Sequence, residues 1–435
     1  MILWFTMIAL MACDKPHGSV PSKASDSSAE ELVWTIDCST ASVFSGDITF
    51  PMDREICQQE GLLIEGNVVI LDELEAANCL CSVSGDVVIQ DTLATSLQGL
   101  HNLSFVDGDF VLSGNEQLIS LTGLEALERV GGTLWLGNIS AGNQTLSSIA
   151  ALSSLTSVHS VAIFGAGELQ DLKGLENVNS ISNLSIYGNA NLLNFVGLGA
   201  ITMLQDLVID NNRQLISLSG LDRVATVTGN VRIAENPSLV DFAGLSGLRE
   251  IGGRLSLHNN LSLAHIDGLR NVASIGSNLE ITENESLISL DGLQSIDFVG
   301  GALFVISNQA LQSLQGLHSV TQVVGSVGVV SNPQLRSVWG LNALRNIGGY
   351  LTLKQNTSME STEGVEEVRE IGGKLSIEGN NSLVLLESLH GVTRVGGAFE
   401  VVDNGLLQPS QIESLLTAIG EQNISGQILI DGNGN

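Results

Sequence analysis

The side chains best suited to chemistry in this 435-residue chain are Asp206, Asp210, Arg232 and Arg254, which fall close together in the repeat pattern described below. Carboxylates and guanidinium groups gathered on one strand face could act on an acidic polysaccharide. Opposite charges on adjacent strands are also what solvated cross-strand pairing produces, and the pattern favours that reading. No Ser-His-Asp arrangement, metal-ligand spacing or phosphate-cradling loop has the structural context its chemistry needs. The sequence therefore predicts no catalytic residue, no metal and no cofactor.

Five cysteines carry the remaining covalent chemistry. Residues 1–12 form an apolar run too short to span a bilayer and about as long as a signal-peptide core. It ends in Leu10-Met11-Ala12-Cys13, which resembles a bacterial lipobox and implies cleavage before Cys13, with a lipid on its sulfur; an ordinary cleaved signal peptide is the alternative. Residues 13–33 follow as a Ser-, Ala-, Lys- and Asp-rich tether. Cys38, Cys57, Cys79 and Cys81 read as two disulfides of an exported chain. A thiol metal site fits less well, because no Cys-x-x-Cys occurs and no histidine lies between Cys38 and Cys81. Cys38 and Cys57 stand at nearly the same distance before their own strands, which points to a Cys38–Cys57 pair and a tight Cys79–Cys81 ring, with the connectivity open.

What positions these groups is a repeat. Asn212, Asn236, Asn260, Asn284, Asn308, Asn332, Asn356, Asn380 and Asn404 recur every 24 residues. So do Leu221, Leu245, Leu269, Leu293, Leu317, Leu341, Val365 and Leu389, nearly all preceded by Gly. Elements such as Leu255-Ser256-Leu257 alternate with period two and read as short strands, their flanking residues inward and the middle one outward. Leu263, Ile266, Leu269, Val272 and Ile275 recur every three residues, a spacing that suits flat sides and tight corners better than an α-helix. Gly-Gly before each strand supplies either positive φ or a close backbone approach. The Asn column reads as a structural ladder, its amides serving backbone groups between coils. Sequons such as Asn260-Leu261-Ser262 arise from the same consensus.

Composition agrees. Apolar residues make up 43% of the chain but aromatics only 4%, and 48 glycines stand beside 6 prolines, so aliphatic side chains must fill a core between regularly placed turns. The formal charge of −30, from 47 acidic against 17 basic residues, argues against nucleic acid as a partner and keeps a long stack soluble.

The heads Gly46-Asp47-Ile48, Gly66-Asn67-Val68, Gly85-Asp86-Val87 and Gly108-Asp109-Phe110, with the repeated Leu-x-Gly-Leu-x-x-apolar-x-x-apolar-Gly-Gly, resemble the receptor L-domain family. That family includes the ligand-binding modules of insulin- and EGF-type receptors. The resemblance covers about Cys38 to Asn404. It implies a right-handed β-helix whose flat sheet face serves recognition, without catalytic residues. The number of coils exceeds a single L domain, so no receptor architecture carries over. A leucine-rich-repeat horseshoe is the runner-up, but its Leu-x-x-Leu-x-Leu-x-x-Asn-x-Leu spacing fits poorly.

The expected architecture is thus all-β: a parallel β-helix of roughly seventeen 24-residue coils. Its parts are a signal peptide (1–12), the tether (13–33), disulfide-bearing capping coils (34–90), the repeats (91–405) and a C-terminal cap (406–435). An insertion near Gly137 to Thr145 should form a loop. In the C-terminal cap, Pro409 and Ser410 to Glu413 suggest a capping box, with Ile412, Leu415, Leu416 and Ile419 on one helical face, then a strand over Gln427 to Ile430. No apolar tail suggesting a C-terminal span or lipid signal follows. The outward strand positions form one continuous surface, on which Trp135, Phe164 and Tyr187 precede a charged centre of Asp206, Asp210, Arg232, Arg254, His258 and Glu280. Phe304, Ile306, Val330 and Tyr350 come after it. Exposed aromatics there could receive a protein or glycan at the cell envelope; ordinary cross-strand packing is the competing account.

Overall fold

The computed structural model describes residues 36–434 apart from 51, 58, 59 and 73. The expected signal peptide, Cys13 and the tether lie outside the described residues. From Ile36 the chain winds as a parallel β-solenoid of about 15 turns. In each regular coil a strand such as Leu255–His258 buries two aliphatic side chains completely, here Leu255 and Leu257. These pair in register with Val231 and Ile233 on one side and with Leu279 and Ile281 on the other. Like therefore stacks on like at a strand spacing of about 4.8 Å, and every inward position becomes a continuous aliphatic column.

Two faces carry sheets. In the N-terminal coils one sheet wraps both faces, because Arg129–Leu136 and Ser157–Phe164 run unbroken around the corner between them. From Met203–Leu204 onward the second face is a separate nine-stranded sheet of two-residue strands. The corner glycines are there for proximity. Gly252 has no left-handed φ, but a Cβ on it would collide with the Thr228 carbonyl oxygen of the preceding coil. Gly220 of the Leu-x-Gly-Leu segment needs both, with φ at +108° and the Phe195 carbonyl in the way of any side chain.

The Asn column is fully buried and works as a ladder. Asn236 Nδ2 donates to the Ile209 carbonyl at 3.0 Å and the Ala234 carbonyl at 2.8 Å. Its Oδ1 accepts the main-chain N–H of Asn212 at 3.0 Å and the Asn212 amide at 3.2 Å. Each side chain thus ties its own coil to the one before it and satisfies backbone groups that water cannot reach. The structure extends the ladder beyond the strict 24-residue series to Asn115, Asn143, Asn189 and Asn433. Ala166 interrupts it, though its own N–H still donates to Asn189 Oδ1 at 2.9 Å.

A second ladder, outside the core, explains the Gly-Asp/Asn heads. Asp47, Asn67, Asp86 and Asp109 each accept the main-chain N–H one coil on, from Asn67, Asp86, Asp109 and Thr133 respectively, at 2.7–2.8 Å.

The N-terminal cap corrects the expected disulfide pairing. The bonds are Cys38–Cys81 and Cys57–Cys79, not Cys38–Cys57 with Cys79–Cys81. Leu62 pairs with Leu80 and Leu63 with Ser82, so Cys81 is an extra residue bulged out of the ladder and re-aimed. Gly61 makes room for it: a Cβ there would stand 2.8 Å from the Cys81 sulfur. At the other end, the helix Pro409–Ile419 covers the last coil with Ile412, Leu415 and Ile419 buried and Leu416 partly so. The expected capping box is absent. Gln408 is the N-cap, Pro409 opens the helix, and Ser410 lies inside its first turn. The final strand is Ile428–Asp431, paired with Phe399–Val402.

Candidate binding face

The outward residues of the first sheet fall into three columns. Trp135 shares the central one with Arg232, Glu280 and Phe304, through the register Trp135, Ala162, Ser185, Val208, Arg232, Ser256, Glu280, Phe304. Phe164, Tyr187, Asp210 and His258 occupy the column two residues further along the strand, which continues to Ile306 and Val330. Asp206, Arg254 and Tyr350 stand at the strand heads, beside the outer ladder.

Two aromatic groups result. Trp135 stacks on Phe164 with ring centroids 5.9 Å apart, and Phe164 meets Tyr187 at the same distance, tilted by 36°. Trp135 Nε1 also donates to Asp109 Oδ2 at 3.3 Å. Further along, Phe304 stacks on Tyr350 at 6.4 Å although they lie two coils apart. Gly328 permits this, because a Cβ there would press on the Phe304 ring at 2.9 Å. Seven coil steps of about 4.8 Å put Trp135 and Phe304 roughly 34 Å apart.

Between the groups the charges are paired. Arg232 Nε lies 2.8 Å from Asp210 Oδ2, whose residue is only 8% exposed. Arg254 Nη1 reaches Glu280 Oε2 at 3.3 Å, and His258 Nδ1 lies 2.8 Å from Thr282 Oγ1. Asp206 does not join the pairs: its Oδ1 accepts from the main chain and amide of Asn230 at 2.7 and 3.0 Å, a rung of the outer ladder. Beyond the second aromatic group, Lys354–Glu378 and Lys374–Glu400 form further pairs at 2.9 and 3.0 Å. Sequence reasoning missed Asp109, Gly328 and these last pairs. Asp109 was visible as a Gly-Asp head, while Gly328 had no signal apart from being a glycine in mid-strand.

The displaced proton affinities lie off this face. Lys173 is raised by its hydrogen bond to Asp171 and by that carboxylate's charge, and Asp37 is lowered by hydrogen bonds from Ser39. Among the described residues no three His, Cys, Asp or Glu side chains converge as metal ligands would. No helix among them is long and apolar enough to cross a membrane.

No family profile matches the chain, and no curated protein matches it. Among solved structures it is similar to the leucine-rich-repeat protein LIC12759 of Leptospira interrogans, at 14% identity over 81% of this chain and 91% of that one, with a TM-score of 0.34. It is also similar to TLR13 in its complex with ssRNA13, at 15% identity over 89% of this chain and 66% of that one, with a TM-score of 0.33. Neither likeness bears on function, and the leucine-rich solenoid rests on the register and ladders above.

Proposed function

We propose that this is an exported binding protein of the receptor L-domain kind, held to an envelope membrane by a lipid on Cys13, that takes a protein or glycan ligand on the sheet face between Trp135 and Tyr350. One observation carries the reading: two stacked aromatic groups stand on a face whose charged residues between them are paired with one another. A structural spacer needs only a uniform soluble face. The two disulfides support an oxidising compartment. The commitment of Asp206 to the outer ladder and of Asp210 to Arg232 supports recognition over catalysis.

The test is Trp135→Ala with Tyr187→Ala, assayed against fractionated envelope proteins and arrayed envelope glycans. Association should weaken at least tenfold with the fold intact by circular dichroism; equal binding would favour the spacer. Mass spectrometry of the native N-terminus checks the anchor, and an unlipidated Cys13 would remove it. For catalysis, the parent should leave acidic polysaccharides intact; turnover lost in Asp206→Asn and Asp210→Asn would replace the binding reading.

A further inference from the structure

Among the described residues the second face has one break, and it falls on the coils that carry Trp135, Phe164 and Tyr187. In a regular coil three residues separate the inward pair Ile251 and Leu255. Only two lie between Val158 and Val161, between Ile181 and Leu184, and between Leu204 and Leu207. At the middle of these three short corners, residues 179–181 make no main-chain hydrogen bond to either neighbouring coil. Second-face strands flank them at Ser157–Phe164 and Met203–Leu204. Beside this unbonded segment lies a hollow of about 420 Å³, lined by Arg129, Thr156, Ser157, His159, Asn179 and Ser180, among others.

We infer that this hollow is a binding site for a neutral sugar unit of a glycan. Its volume is in the range of small-ligand sites. Hydroxyls and an amide, each able to donate and accept, line it, and the main-chain N–H and C=O groups of 179–181 are left over from the broken ladder. Ligand hydroxyls have the same dual character. Charge selects against an anion: Arg129 lies 3.5 Å from Asp107, so the rim carries no unbalanced cation, and the chain's −30 repels polyanions. The assignment does not rest on the sheet-face reading, since it uses other residues on another face.

Laminarihexaose, cellohexaose and mannohexaose, titrated calorimetrically against the full chain with an oligogalacturonate as the acidic comparison, test it. At least one neutral hexaose should bind. Ser180→Arg, at an exposed position, fills the hollow without touching the core and should weaken that binding at least tenfold. Asn179→Ala should weaken it about threefold with an unchanged melting temperature, whereas Tyr350→Ala on the sheet face should leave it as in the parent. Silence from all three neutral hexaoses, parent-like binding by Ser180→Arg, or tighter binding of the oligogalacturonate would each overturn the assignment. Loss in Ser180→Arg with parent-like Tyr350→Ala separates this site from the sheet face.

Discussion

The coils from Leu255 to Val402 and those from Arg129 to Tyr187 are built from one consensus but obey it differently. The first stretch keeps the 24-residue period, a ladder Asn in every coil and hydrogen-bonded strands on both faces. The second inserts four residues between Leu136 and Asn143, shortens two corners, puts Ala166 in the ladder and opens the second face. It compensates locally. Asn138 Oδ1 accepts from Ser140 and Ala141 within the inserted loop, the strands lengthen to eight residues, and three rings stack across the coils. In a stack of near-identical units, departures concentrate where they can be braced, and the hollow and the first aromatic group of the sheet face both fall there.

Imposing the irregular stretch's missing rung on the regular one tests that contrast hardest. Asn308→Ala would strip one acceptor from the Asn284 main chain and amide and take one of the donors from the Ile281 carbonyl, all buried. By the cost of unsatisfied buried groups it should lose about 4 kcal/mol, read from the urea midpoint. A loss below about 1 kcal/mol would mean that the ladder's regularity is not what holds these coils. Gly220→Ala comes next, at about 3 kcal/mol from backbone collision and a left-handed φ. The same change at Gly188, which has a left-handed φ of +68° but open space, should cost about 1 kcal/mol. Equal losses at the two glycines would show that φ, not proximity, dominates. The smallest effect has the opposite sign. Thr362 occupies a core position of a regular coil with its hydroxyl buried and unpartnered, so Thr362→Val should gain about 1 kcal/mol. No gain would mean that the hydroxyl has a bonding partner in solution.

Periodicity made the fold legible. A column repeating every 24 residues can only stack on itself, so the inward aliphatic positions and the Asn ladder follow from spacing alone. The disulfide pairing did not follow, because it depends on a bulge at Cys81 and on space at Gly61, neither of which alters the count of residues between strands. The capping box failed for a similar reason: Pro409 has no N–H to give and fits the first helical position, which moved the cap to Gln408. On the sheet face the outward residues were readable from alternation. That Asp206 belongs to the outer ladder and Arg232 to Asp210 required the register. The hollow was invisible, since three short corners look in sequence like ordinary variation in coil length.

The inner ladder also has a direction. Every Asn side-chain oxygen receives from the coil made before it, so no coil can complete its own bonding from anything earlier in the chain. During synthesis the newest coil waits for the next 24 residues, about one to five seconds at ordinary elongation rates. Asn433, whose Oδ1 accepts from Asn404 at 3.1 Å, closes the last of these waits among the described residues.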